Sequence, residues 1–353
     1  MSFLRQQSAD EEYRVLMRLT GPAGPVNTLA FGPDAKFLAS GGDDEKVRIW
    51  DVATKQIHQV IEDDLERWGQ ITCTQWLTGF TDNGNTLCFG TGRGQDFFKE
   101  LSSTTVLPFN EPVEAMDYDK KNKLVLSSHG GKIKLFHVER NGTLIALWSK
   151  NWNDIQQAKG SIPRSVHFCD RGENIVIFGL ESGVMLSKAA ATGGDNWTKV
   201  LKSSIGNATF STDQQWLLVD NLAKGFDLYN YPHSSPSDSF PVSRTKAFVQ
   251  QGVFLENETS VACGSDHGYI HIFSLGTSKP LQTLKHGSAK TMVQVLDACS
   301  TVNQHLIASG TDEKKPVIYV WEKKVMSFVL KKNYNVKHPL GERTSSPAPQ
   351  LWV

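Results

Sequence analysis

Paired cysteines, long apolar runs and net charge are all missing from this sequence, and each absence excludes a class of protein. The five cysteines (Cys73, Cys88, Cys169, Cys263, Cys299) are odd in number and never form a C-x-x-C pair. Several sit in apolar runs such as Thr-Leu-Cys88-Phe, so they read as reduced packing residues rather than a disulfide framework. No apolar stretch approaches the ~20 residues that span a bilayer. The start, MSFLRQQSADEEYR, has no apolar core for a secretory signal, so the sequons at Asn141, Asn196, Asn207 and Asn257 carry no weight. An intracellular chain, cytoplasmic or nuclear, is expected. The 37 basic and 37 acidic residues cancel, which removes the usual electrostatic argument for nucleic acid or a membrane as partner. Catalytic signatures are absent too: there is no G-x(4)-G-K-[ST], no H-E-x-x-H, no G-x-S-x-G and no Cys/His zinc spacing. Helical periodicity of useful length is likewise missing.

What the chain does have is repetition. Short strands ending in an aromatic, or its weaker equivalent, close at positions 50, 98, 136, 187, 229, 273 and 321. Their spacing is near the ~40–45 residues of a four-stranded propeller blade. Before each lies a short small-or-apolar run: Phe37–Gly41, Leu87–Gly90, Leu124–Ser127, Ile175–Gly179, Leu217–Asp220, Val261–Gly264 and Leu306–Gly310. Such runs suit strands covered on both faces. Upstream of each is an innermost-strand candidate, starting near Val26, Ile71, Val113, Ser165, Gly206, Val249 and Met292. With a more polar fourth segment per set, the pattern predicts an all-β, seven-bladed β-propeller of four-stranded antiparallel blades. A multi-domain all-β sandwich is the runner-up, but it predicts no constant spacing.

The glycine-rich stretch Leu87–Phe98, LCFGTGRGQDFF, has two readings, a phosphate cradle or a hairpin turn. It aligns with Ser40–Asp44 and Gly264–Gly268, and a strand rather than a helix follows, so the glycines are read as a tight turn. Ring closure is assigned to the alternating segment Glu12–Leu19, as the outer strand of the last blade. A rival closure through Val325–Leu330 stays open. The organisation expected is a flexible start over 1–11, a propeller over 12–325 and a disordered tail over 326–353.

The segment Gly21–Asp51, with Ser40, Asp44 and Trp50 in place, closely resembles a repeat of the WD-repeat β-propeller family. Segments such as Gly206–Phe210, Asp220–Tyr229 and Gly264–Gly268 resemble divergent, fungal members of it. The family's repeat carries a His that joins the Ser, Asp and Trp in a hydrogen-bonded tetrad. Here Pro22 takes the His position, and in the last blade His286 looks poorly placed relative to Ser309 and Trp321. The resemblance implies a rigid platform that docks proteins or peptides.

Connections into innermost strands and the turns between middle strands share one end of such a fold, and loops on a rigid scaffold carry binding residues. Aromatics and Arg anchor interfaces, so the candidate binding residues are Trp68, Arg93, Trp152, Arg164 and His267. The bland alternative is an ordinary exposed turn or, for the tryptophans, a wedge between blades. His267 and His271 share a strand face, yet a turn residue and a half-exposed strand residue are the simpler reading. No cofactor, metal or catalytic residue is assigned. The expected function is a non-catalytic interaction scaffold, a monomeric propeller within a complex, that binds a protein or peptide partner. A propeller enzyme with a channel-mouth metal and a nucleic-acid-binding propeller are the alternatives.

Overall fold

The computed structural model describes residues 12–77, 86–100, 103–108, 111–140 and 142–325, with 95–100 and 103–108 described by backbone alone. The segments expected to be a flexible start (1–11) and a disordered tail (326–353) lie outside the described residues, as does most of the rival closing strand.

Among the described residues, the strands form seven four-stranded antiparallel sheets. Sheet 1 takes Val26–Phe31, Phe37–Gly42, Val47–Asp51 and Gln56–Ile61 in that order. Sheet 2 takes Ile71–Leu77, Thr86–Thr91, Gln95–Glu100 and Ser103–Pro108, and sheet 3 takes Val113–Tyr118, Lys123–Ser128, Lys132–Val138 and Leu144–Asn151. Sheet 4 holds Pro163–Cys169, Asn174–Gly179, Val184–Ala189 and Asp195–Val200. Sheet 5 holds Ala208–Phe210, Trp216–Asp220, Gly225–Asn230 and Asp238–Pro241. Sheet 6 holds Gly252–Leu255, Ser260–Gly264, Tyr269–Ser274 and Pro280–Lys285. Sheet 7 runs Val293–Ser300, Gln304–Thr311 and Val317–Lys324, and Arg14–Thr20 pairs antiparallel with the last of these. The architecture is an all-β propeller of four-stranded antiparallel blades.

The second strands explain why small and apolar residues recur there. Every residue of Phe37–Gly42 and Thr86–Thr91 is buried, because a neighbouring sheet covers each face. The core is accordingly divided into wedges between adjacent sheets. Ala39, Val47 and Ile49 of sheet 1 meet Ile71, Trp76 and Phe89 of sheet 2, and Val176 and Phe178 of sheet 4 meet Leu217 and Tyr229 of sheet 5. The glycine-rich stretch lies at such a wedge. A Cβ on Gly90 would sit 2.8 Å from Val113 Cβ of sheet 3, and Gly94 turns the chain at φ +77°. Its glycines serve close sheet approach and a turn.

Each innermost strand has one unpaired edge, which must be satisfied by something other than a ladder. Side chains of neighbouring sheets do part of this. Asp297 accepts from Phe31 N–H (2.6 Å) and Asp117 from Phe168 N–H (2.7 Å). Trp76 Nε1 donates to Ala30 O (2.9 Å), Gln294 Nε2 to Val26 O (2.8 Å), and Gln251 Oε1 accepts from Leu296 N–H (3.1 Å). These bonds bind one sheet to the next around the inside of the molecule. Burial pushes the carboxyl of Asp297 up to about 7, and it raises Asp117 as well.

Two sheets show the Ser–Trp bond of the repeat. Trp50 Nε1 donates to Ser40 Oγ (2.8 Å) and Trp321 Nε1 to Ser309 Oγ (3.1 Å). In sheet 1 Pro22 supplies no donor, and Asp44 instead accepts from Ala23 N–H and pairs with Arg48, both at 2.8 Å. In sheet 7 the expectation that His286 is poorly placed is wrong. Its Nδ1 lies 2.8 Å from Ser309 Oγ and its Nε2 2.9 Å from Val317 O. The connection from His286 into the first strand of sheet 7 contains a turn in which Thr291 N–H donates to Ser288 O (3.0 Å).

Burial holds the His286 imidazole neutral, with its pKa lowered from 6.5 to about 4. An unfolded chain takes up this proton near pH 6.5 and the folded one only near 4. The stabilisation is therefore complete above pH 6.5 and is lost as pH falls toward 4, by about 3 kcal/mol. Urea denaturation of wild type and His286→Gln should show the wild-type advantage shrinking by that amount between pH 7 and 4; a constant gap would refute it.

Candidate functional site

In an antiparallel order of four strands, the start of the first, the turn between the second and third, and the end of the fourth lie at the same end of the sheet. All the sequence-predicted residues belong to that end, and so does the mouth of a central cavity of about 780 Å³. Asn27, Gln70, Glu114, Arg164, Phe248 and Met292 are among the residues lining it, and innermost strands of all seven sheets contribute to its wall.

At its rim the Glu114 carboxylate bridges two groups. One oxygen lies 2.7 Å from His129 Nδ1 and the other 2.8 Å from Arg164 Nη1. Glu114 is second in the first strand of sheet 3, His129 sits in that sheet's middle turn, and Arg164 is second in the first strand of sheet 4. The arrangement thus spans two sheets.

A second device lies across the mouth. The connection from sheet 5 to sheet 6 is pinned from below by Arg244, which pairs with Asp220 where both side chains are almost wholly buried. Asp220 also accepts from Gln250 N–H (2.8 Å) and Leu222 N–H (3.0 Å). Burial raises the Asp220 carboxyl, and Arg244 together with the two amides opposes that rise. Asp266 takes Thr245 N–H (2.7 Å), Thr245 Oγ1 (2.6 Å) and Lys246 N–H (3.1 Å). Arg244 Nη1 donates to the carbonyl of Phe248 (2.9 Å), whose ring stays 48% exposed. An exposed aromatic is therefore held at the mouth by a buried ion pair.

The five predicted residues divide. Arg164 belongs to the rim. His267 is half-exposed, with Nδ1 2.6 Å from Asp266 Oδ1. Arg93 is exposed but turned aside, its Nη1 donating to Glu66 O (2.7 Å). The two tryptophans are not surface anchors. Trp68 is 5% exposed and stacks at a tilt on Phe89, with centroids 5.3 Å apart. Trp152 is fully buried, its Nε1 donating to Ser161 Oγ (3.0 Å). Their large apolar surface is worth more as packing than as exposed rings.

Glu114, Asp220, Arg244 and Phe248 were missed. An acid second in an innermost strand was the available signal for Glu114. For the Asp220–Arg244 pair no local signal exists. Among the described residues, no cluster of three or more His, Cys, Asp or Glu is placed to hold a metal ion. No helix there is long and apolar enough to cross a membrane.

Four-stranded antiparallel blades around a lined cavity define a β-propeller. Residues 13–51 match the family model described as WD domain, G-beta repeat. The nuclear distribution protein nudF 2 of Penicillium rubens is 38% identical to this chain over 78 residues. That similarity covers 21% of this chain and 17% of the relative. The chain is a β-propeller that carries a WD repeat over residues 13–51.

Proposed function

We propose that this protein is a non-catalytic, intracellular interaction scaffold that docks a protein or peptide on the loop-bearing end around the cavity mouth. The observation that carries this reading is the mouth itself. Fixed charges of both signs on Glu114 and Arg164 face a rigidly held, exposed Phe248 around a cavity of about 780 Å³. An exposed aromatic beside ordered polar groups is the make-up of a docking surface, because the ordering cost is met before the partner arrives. The WD-repeat family supports a scaffold, and five scattered cysteines, odd in number and never in a C-x-x-C pair, support a reducing compartment. The seven sheets act in this reading as seven blades of one closed ring. Closure through Arg14–Thr20 is supported by its pairing with Val317–Lys324 and by the Asp297 and Gln294 bonds into sheet 1.

Affinity purification from the native cell, read by quantitative mass spectrometry, tests the docking end. Changing His129→Ala, Arg164→Ala and Phe248→Ala together should deplete specific co-purifying proteins at least tenfold while Lys120→Glu, at the opposite end, leaves them in place. An identical set of proteins with both variants would sink the proposal.

A further inference from the structure

The loop end carries one charge feature that the Glu114 cluster does not use. Lys224 lies in the middle turn of sheet 5, Lys246 in the connection into sheet 6, Lys290 in the connection into sheet 7, and Lys314 and Lys315 in the middle turn of sheet 7. All five are exposed, and none has an acidic partner among the described residues. The acids of the same loops hydrogen-bond to other groups and offset the lysines only in part. Asp220 is spent on Arg244, Asp266 on Thr245 and the Lys246 amide, Asp312 on Met292 N–H (3.0 Å) and Glu313 on Thr291 Oγ1 (2.8 Å). The corresponding loops of sheets 1 to 4 differ, for there Lys46 pairs with Glu62, Arg48 with Asp44, Lys132 with Glu111 and Arg164 with Glu114. Lysines without an acidic partner are thus most numerous on the side of sheets 5 to 7, where the five outnumber the exposed acids Asp312 and Glu313. Arg93 and Lys159 are exposed cations without an acidic partner among the described residues on the loops of sheets 2 and 4.

Phe248 stands at the inner edge of that side. The Lys246 ammonium lies 5.3 Å from its ring centroid, and the ring lines the cavity. Holding it there requires burying the Asp220–Arg244 pair, which stability alone does not favour over apolar packing. The expenditure makes sense for a surface whose shape must be set in advance.

We propose that the loop end of sheets 5 to 7 binds an acidic peptide segment, with an apolar side chain of the peptide seated on Phe248 and its carboxylates against the lysine rim. This rests on the scaffold reading above and names its ligand class. Charge complementarity selects an acidic partner. A protein segment fits better than a nucleic acid strand. Strand-tracking grooves need a continuous basic path with successive stacking platforms, whereas this rim has one exposed aromatic and is interrupted by the exposed Asp312 and Glu313.

Fluorescence anisotropy on the full chain tests it with three labelled probes: a ~12-residue glutamate-rich peptide with a central Leu-Phe pair, its lysine-rich counterpart, and an oligothymidylate of similar length. The acidic peptide should bind at least tenfold more tightly than either of the others, and more weakly as salt rises. Lys246→Glu, Lys290→Glu and Lys314→Glu combined should weaken it at least tenfold, and Phe248→Ala about tenfold. Lys120→Glu should change nothing. Melting curves for each variant, and a Lys→Gln version of the triple change, separate lost binding from lost fold. Equal binding of acidic and basic peptides, preference for the oligonucleotide, or unchanged affinity in folded variants overturns the proposal. If the probes fail while the loop-end variants still deplete native partners, the ligand class is wrong and the scaffold reading stands. If both fail, the docking end itself is wrong.

Discussion

Replacing Trp152 with alanine is expected to destabilise the protein by about 3–5 kcal/mol, the range for a large aromatic removed from a packed interior. Trp152 has no solvent exposure and packs among Val125, Ile133, Leu135 and Val166, between sheets 3 and 4. Its main chain is anchored as well, with Trp152 N–H donating to Gly131 O (2.7 Å). Gly179 faces the indole so closely that a Cβ there would lie 2.8 Å from Trp152 Cζ2, so the backbone cannot move far inward without rebuilding the wedge. Trp152→Phe keeps much of the volume and loses the Ser161 hydrogen bond, and should cost less than half as much. Equilibrium urea denaturation measures both. An alanine variant within 1 kcal/mol of wild type would mean that Trp152 is available at the surface after all.

Removing Arg244 is expected to cost a similar amount, about 3–5 kcal/mol, for an electrostatic reason. Arg244→Ala leaves the Asp220 carboxylate, 1% exposed, without its cation. The same change releases the Phe248 carbonyl, so the loop at the mouth should loosen. Asp220→Leu combined with Arg244→Met separates the two effects. An apolar pair of similar size should recover most of the stability, because a buried ion pair contributes little over good packing. It should not restore the loop, whose Gln250 amide loses its acceptor, as does Leu222 N–H in the middle turn of sheet 5. Denaturation reports the first effect, and hydrogen exchange at residues 244–250 reports the second. Full stability in Arg244→Ala would show that Asp220 is not held charged by this pair.

The strand pattern of the propeller was legible because its signals are local. Phe37–Gly42 and Ser260–Gly264 are continuous buried runs, and the sequence shows them as continuous small or apolar residues. The turn at Gly94 follows from glycine, which takes φ +77° without strain and leaves room for the Glu111 backbone, 2.3 Å from where a Cβ would sit. The site was legible only in part. Arg164 stands at the rim because its place is set by the start of a strand, and strand starts can be read. Trp68 and Trp152 were candidates because they lie in connections, and the alternative of a wedge between blades is where their rings are found. His286 was misjudged because its bonds to Ser309 and Val317 cross 23 and 31 positions, which local sequence does not register.

By itself the amino-acid sequence determined the all-β class, the repeat period and the end of the sheets that carries the loops. The first and last depend on residues within a few positions of one another, and the period on such local signals recurring along the chain. The tertiary structure alone decided which loop residues face solvent and which charges are compensated. Asp220 meets Arg244, and Glu114 meets Arg164, across 24 and 50 positions respectively. Pairings at that separation are set by how neighbouring sheets stack and where the chain between them returns, so local composition holds no trace of them.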